Sequence, residues 1–80
     1  MNNIKYGIVE ECYFLGDIRR KAYGIAAYAY PDTGGIATVV ASVGDITDDK
    51  GKIADFVENC NSLQLSLIHF FDAVEDFVNE

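Results

Sequence analysis

The chain has 80 residues, of which half are apolar and about a quarter are charged, and its formal net charge is −7. This composition is typical of a small globular domain and excludes a disordered chain. No apolar run approaches the roughly 18 residues that a membrane span requires. We therefore expect a single compact domain over residues 1–80 with no membrane segment. Its core should be thin, because so short a chain buries only about 60% of its unfolded surface.

Three β-strands are predicted in the first half of the chain. β-Branched and aromatic residues dominate three segments, and many of them alternate in the pattern of a strand with one buried face. The turns between them fall at Gly16-Asp17 and over residues 31–35, because glycine adopts positive φ and proline fixes φ. We expect a three-stranded antiparallel meander within residues 1–44. Its strands are predicted at residues 4–15, 18–30 and about 36–43.

Both faces of this predicted sheet are apolar. The second and third strands carry tyrosine and alanine where a solvated face would carry lysine and glutamate. One face must cover the core, so the other indicates a partner surface, and a homodimer formed through it is one prediction. The alternative is that small residues and tyrosine hydroxyls tolerate water.

The second half of the chain predicts two helices. Thr47 or Asp48 is the expected N-cap of the first, and Asn61-Ser62 its end, because asparagine accepts the left-handed conformation. Ser66 is the expected cap of the second. Each helix has an apolar stripe at helical spacing. The stripes are Ile53, Phe56, Val57 and Cys60, then Leu67, Phe70, Phe71, Val74, Phe77 and Val78.

The short connection between these helices predicts an αα-hairpin over residues 45–80, packed on one face of the sheet. The fold class is therefore α+β. The net charge also lies in this second half, since residues 45–80 contain nine carboxylates against only Lys50 and Lys52. Such an asymmetry bears on partners and solubility rather than on fold.

Carboxylates cluster on the polar face of the last helix. Acids near a helix C-terminus oppose the helix dipole by about 0.3–1 kcal/mol each, and like charges four residues apart cost a few tenths more. A cluster that lowers stability indicates binding to a basic protein surface, with solubility as the plainer alternative. The predicted partner-binding residues are Asp72, Glu75, Asp76 and Glu80, joined by Asp55 and Glu58 of the preceding helix.

The most concrete form of this prediction is nucleic-acid mimicry. Carboxylates on the helix would lie where phosphates lie in the basic groove of a nucleic-acid-binding protein. Direct binding of nucleic acid is not expected, because Arg19-Arg20-Lys21 is the only basic cluster in a strongly acidic chain. We expect that cluster to contact the acidic helices or to protect an edge strand.

No reaction is predicted from the residues. His69 with Asp72 at i+3 could orient an imidazole, but no second histidine or nearby nucleophile accompanies the pair. We expect a half-buried structural histidine, and an enzyme centred on His69 is the weakest alternative. Cys12 and Cys60 match no metal or redox spacing, so neither metal nor cofactor is expected. Reduced cysteines and the lack of a signal-peptide pattern predict a cytoplasmic protein.

Segments of the C-terminal half resemble a family of short proteins of Gram-positive bacteria and their phages, whose function is unknown. The most specific segment is Leu65–Phe77, and the resemblance extends over about residues 20–80 and mainly over 44–77. Family members tend to have proline where Leu67 stands, which agrees with the first position of a helix. The resemblance implies a compact α+β domain in a bacterial or phage cytosol, where a phage-type inhibitor would act. It implies no catalytic residue.

Overall fold

The computed structural model describes residues 3–79 and contains a three-stranded antiparallel sheet followed by two helices that contact it. The predicted α+β class is confirmed. The strands follow one another in the sheet in the order β1-β2-β3. The elements are β1 (Asn3–Leu15), β2 (Ile18–Tyr30), β3 (Thr38–Thr47), α1 (Lys50–Ser62) and α2 (Leu67–Val78).

β1 and β2 form one long hairpin in unbroken register, from the pair Asn3–Tyr30 to the pair Leu15–Ile18. Gly16, with φ of 62°, begins its two-residue turn. Even-numbered residues of β1 and odd-numbered residues of β2 share one sheet face. That face carries the core, because Tyr6 of β1 and Ile25 of β2 are both buried on it.

β3 begins and ends later than predicted, and its pairing with β2 contains two irregularities. The register with β2 shifts between Ala27 and Tyr28, and again between Tyr23 and Ile25. At the second shift Asp45 adopts a φ of 54°, and the backbone of Val43 approaches Gly24 so closely that a Cβ there would collide with the Val43 carbonyl oxygen. This bulge continues the strand to Thr47, which pairs with Tyr23.

A single core lies between the sheet and the two helices. Phe70, Ile25 and Ile53 are fully buried at its centre, one from α2, one from the sheet and one from α1. The ring of Phe56 on α1 also stacks on Phe77 of α2, with ring centroids 4.5 Å apart. The buried members of the core are Tyr6, Tyr23, Ile25, Ala27, Ile53, Val57, Cys60, Phe70 and Val74.

The ends of the helices differ from prediction. Asp49, rather than Thr47 or Asp48, caps α1, and its Oδ1 accepts a hydrogen bond from Lys52 N at 3.1 Å. Thr47 contributes indirectly, because its Oγ1 accepts from Asp49 N at 3.1 Å. Ser66 is the cap residue of α2, yet its side chain makes no capping hydrogen bond.

α1 ends in a Schellman-type turn in which Gln64, not Asn61, is left-handed, with φ of 50°. Gln64 N donates to Asn61 O at 3.1 Å, and Leu65 N donates to Cys60 O at 3.0 Å. Leu65 then packs against the core. The asparagine that the sequence predicts as a helix stop is therefore free for another contact.

Asn61 joins α1 to the outer edge of β1. Its side-chain oxygen accepts from Tyr6 N at 2.8 Å, and its side-chain nitrogen donates to Tyr6 O at 2.9 Å. The amide side chain thus pairs with the edge strand as a neighbouring strand would. The Tyr6 hydroxyl donates to Leu65 O at 2.7 Å, and its ring stacks on Phe70 with centroids 5.4 Å apart. Tyr6 therefore contacts α1, the connecting turn and α2.

Replacing Asn61 by alanine should lower the free energy of unfolding by about 1–3 kcal/mol, because the partly buried N–H and C=O of Tyr6 lose their partners. Urea denaturation measures the change. The matched control is Asn59→Ala on the same helix, at an exposed position, which should stay within about 0.5 kcal/mol of the wild type. Equal effects at both positions would contradict a special role for Asn61.

Alkaline pH should weaken the fold through Tyr6 and Cys60. Burial raises the pKa of the Tyr6 hydroxyl, with a smaller contribution from Cys60, and burial also raises the pKa of the Cys60 thiol. Both groups keep their protons to higher pH when folded than when unfolded. Their contribution to stability is therefore complete below the unfolded pKa values, about 8.5 for cysteine and 10 for tyrosine, and is lost as pH rises through the folded values.

The variant Tyr6→Phe should make this alkaline loss of stability shallower, because phenylalanine cannot ionise. Urea denaturation at a series of pH values above about 9 measures the slope. Tyr13→Phe, at an exposed position on the same strand, is the control for removing a tyrosine hydroxyl outside the core. A Tyr6→Phe slope identical to that of the wild type would show that Tyr6 does not titrate as described.

Candidate protein-binding surface

The outer face of α2 combines acidic and apolar side chains. Asp72, Glu75 and Asp76 are exposed, as predicted. Between them lie large apolar residues that the sequence pattern assigns wrongly or leaves out. Phe71 is 58% exposed and Val78 53%, although both are predicted in the apolar stripe, and Ile68 is 86% exposed. We define the outer face of α2 by Ile68, Phe71, Asp72, Glu75, Asp76 and Val78.

The buried side of α2 is narrower than its apolar stripe. Phe70 and Val74 are buried, and Leu67 and Phe77 are half-buried. Phe71 follows Phe70 and therefore points about 100° away from it around the helix. A three-stranded sheet and one neighbouring helix cover only part of the circumference, which leaves the flank with Phe71 and Val78 uncovered.

The residues of this outer face form lines along the helix, in which they are spaced four or seven positions apart. Ile68 and Glu75 lie two turns apart on one line, and Asp72 and Asp76 lie one turn apart on another. Phe71 and Val78 are also seven residues apart, on the opposite flank. The face therefore has an apolar flank and an acidic flank. This arrangement offers a partner both apolar area and negative charge.

The structure brings Asp55 beside α2, whereas Glu58 lies elsewhere. Asp55 lines a shallow groove between the helices together with Phe56, Asn59 and Phe77. Glu58 is exposed on α1 and does not line this groove. Glu80, the remaining predicted partner-binding residue, lies outside the described residues.

Lys52 brings a positive charge to the C-terminal end of α2. It borders a small groove with Ile46, Thr47, Phe77 and Val78, and it also lines the groove that contains Asp55. A cation at this end of a helix favours the dipole. The acidic surface is therefore less uniform than the linear order of charges predicts.

His69 is exposed rather than half-buried, which corrects the sequence-based expectation. An open cleft of about 760 Å³ lies between the start of β1 and the connecting turn, and His69 is not among the described residues that line it. Within residues 3–79, no three His, Cys, Asp or Glu side chains lie close enough together to hold a metal ion. The cysteines are free, Cys12 exposed and Cys60 buried.

The basic cluster is exposed at the far end of the β1–β2 hairpin. Lys21 forms a salt bridge with Glu10 of the neighbouring strand, at 3.2 Å, and Arg19 donates to the Cys12 sulfur at 3.5 Å. These partners belong to the sheet, so the expected contact with the acidic helices is wrong for Lys21 and Arg19. All residues from Glu10 to Lys21 are exposed.

The sheet face opposite the helices is largely apolar, as the sequence indicates. Tyr30 is 38% exposed and Val39 55%, while Ala22 and Ala26 are buried among larger neighbours. A Cβ on Gly7 would lie 3.2 Å from the Tyr28 ring, which shows that this ring lies across β1. Small residues here make room for tyrosines.

The fold and this surface define a small α+β protein with an exposed helix face that is both acidic and apolar. The chain belongs to the family of unknown function DUF6514, whose model matches residues 1–80. The match covers the whole sequence and confirms that the chain belongs to a family of unknown function. Comparisons with curated proteins and with solved structures found no match. Within residues 3–79, neither helix is long and apolar enough to cross a membrane.

Proposed function

We propose that this chain is a non-catalytic protein-binding module that uses the outer face of α2 to bind a basic protein surface. One observation carries the proposal: Ile68, Phe71 and Val78 are more than half exposed beside Asp72 and Glu75 on a helix whose other side is fixed in the core. Contiguous apolar side chains at a surface are typical of interaction sites.

The acids on this face support the same proposal. Glu75 and Asp76 lie in the last turn of α2, where a negative charge opposes the helix dipole, and Asp72 and Asp76 are like charges one turn apart. Both arrangements are unfavourable for the isolated helix. Solubility alone does not require acids at these positions. Apolar burial would supply affinity, while the charges would steer a basic partner and exclude acidic ones.

The partner class that we propose is a bacterial nucleic-acid-handling protein whose basic groove the helix would occupy. A groove that follows a phosphate backbone has the required charge. The apolar flank of α2 adds a requirement, since the groove must also hold a patch for Phe71 and Val78. We place the protein in a bacterial cytoplasm, as host or phage inhibitor, and its two free cysteines fit a reducing compartment.

Capture on the tagged protein from a bacterial lysate, followed by elution at high salt, would supply a partner for titration. The triple variant Asp72→Asn, Glu75→Gln, Asp76→Asn should then weaken binding of the purified partner by about tenfold or more. Phe71→Ala should weaken it without changing the charge. Binding that resists both changes would show that the outer face of α2 is not the site.

The matched control neutralises three acids away from α2, namely Asp17, Asp45 and Asp48, each to asparagine. All three are exposed, and the net charge changes as much as in the α2 variant. Asparagine also tolerates the positive φ at position 45. Binding should stay close to that of the wild type. An equal loss in the control would indicate that total charge, and not the helix face, determines binding.

A second candidate is a homodimeric regulatory or structural protein that buries the sheet face opposite the helices. The exposed Tyr30 and Val39 on that face favour it. In this case the acids on α2 would serve solubility. A strictly monomeric protein at high micromolar concentration would contradict this candidate.

A further inference from the structure

The turn end of the β1–β2 hairpin extends beyond the core. We define the hairpin tip as residues 12–21, all of them exposed. Its large apolar residues are open to solvent, with Phe14 at 69%, Leu15 at 58%, Ile18 at 57% and Tyr13 at 41% exposure. The molecule is elongated, with principal extents of 47 × 28 × 18 Å. An exposed apolar tip of this kind is typical of a contact surface.

Basic residues flank the apolar side chains of the tip. The register pairs Phe14 with Arg19 and Tyr13 with Arg20. Lys21 is paired with Glu10, and within residues 12–21 the three bases Arg19, Arg20 and Lys21 stand against the single acid Asp17. The hairpin tip therefore has the opposite charge to the outer face of α2 and a similar share of exposed apolar residues.

The two surfaces cannot meet within one molecule. Phe70 of α2 stacks on Tyr6, and Tyr6 precedes Phe14 by eight residues on the same strand, which is about 26 Å of extended chain. Phe71 and Asp72, next to Phe70, are therefore far from the tip. Contact between the surfaces requires a second molecule.

We propose that the hairpin tip of one copy of this chain docks on the outer face of α2 of a second copy, and that the exchange is reciprocal. A two-fold axis relating the copies would place each tip on the other's helix and close the assembly as a dimer. The contact would use the face of the tip turned away from the molecule's own helices, where Arg20 would face Asp72, Glu75 and Asp76. Tyr13, Leu15 and Ile18 lie on the same face as Arg20 and would cover Ile68, Phe71 and Val78.

A second copy fits the tip better than an anionic membrane does. The chain carries −7 overall, so a negatively charged bilayer would repel most of its surface. The same net charge separates two copies at long range, but at physiological salt charges more than about 8 Å apart are largely screened. Whether two copies associate then depends on the opposite charges of the tip and the outer face of α2 at short range.

This inference rests on the proposed function, because it uses the same face of α2. It adds a form of regulation to it, since a docked tip would cover that face until a basic partner displaces it. The two ideas remain separable, because changes in the tip leave the outer face of α2 intact.

Two charge-reversal variants, one in the tip and one on α2, test the contact. Their dimerisation is measured by analytical ultracentrifugation of the full chain at physiological salt. The tip variant is Arg19→Glu with Arg20→Glu, and the helix variant is Asp72→Lys with Glu75→Lys. We expect a wild-type dimer and a dissociation constant raised about tenfold or more in each variant alone. Mixing the two variants should restore association, because an acidic tip then meets a basic helix face.

The control variant is Lys5→Glu with Lys50→Glu, which changes the net charge as much as the tip variant does and should leave the dimer intact. Circular dichroism establishes that each variant is folded. A wild-type monomer at high micromolar concentration would overturn the inference. A dimer that persists in both variants would also overturn it, in favour of the sheet face.

The alternative ligand of the hairpin tip is an anionic membrane. Vesicles of equal parts phosphatidylglycerol and phosphatidylcholine test for it. Binding to them by a monomeric wild type, lost in the tip variant, would overturn the inference and assign the tip to a lipid surface. The proposed function is judged separately, since the tip variant should still bind a basic partner through α2. If the wild type is monomeric and the triple α2 variant loses partner binding, the proposed function is supported and the dimer inference is overturned.

Discussion

The position of both helices depends on the pairing of Asn61 with the backbone of Tyr6. The edge of β1 offers an N–H and a C=O to whatever lies beside it, and the amide of Asn61 satisfies both at 2.8 and 2.9 Å. That contact fixes the last turn of α1 against the sheet. The Tyr6 hydroxyl then holds the carbonyl of Leu65, and the Tyr6 ring receives Phe70. One strand residue thus contacts the end of α1, the connecting turn and α2.

The same contacts determine which residues of α2 reach solvent. With Phe70 and Val74 held in the core, the rotation of the helix about its axis is set, and Ile68, Asp72 and Glu75 must face outward. The apolar flank of this face would gain from burial, and the acidic flank lowers local stability. Both properties support the binding role that we propose for α2.

Sequence periodicity predicted the strands and helices well, because the alternation in β1 and β2 and the stripe at Ile53, Val57 and Cys60 follow directly from burial on one side. Its failures have physical causes. The bulge at Gly24 and Asp45 leaves no periodic signal, and it continues β3 beyond its predicted end. Asn61 has the composition of a helix stop, and only the long-range contact with Tyr6 shows its use. The sequence pattern of α2 shows which residues are apolar. It does not show that Phe71 stays exposed, because that depends on how much of the helix circumference the sheet and α1 cover. The acidic residues were predictable, whereas the apolar residues between them were not.

The overhang of the β1–β2 hairpin has a consequence for dynamics. Ile25 and Ala27 lie under the helices, so their amides can exchange with deuterium only when the core opens. Residues 12–21 of the two strands are exposed, and there the pairing of β1 with β2 is joined only by surface contacts such as that of Lys21 with Glu10 among the described residues. A segment with so few buried contacts is expected to open locally at a lower free energy than the core. The amides of the hairpin tip should therefore exchange with deuterium faster than those of Ile25 and Ala27, and the tip can change its conformation without unfolding of the whole chain.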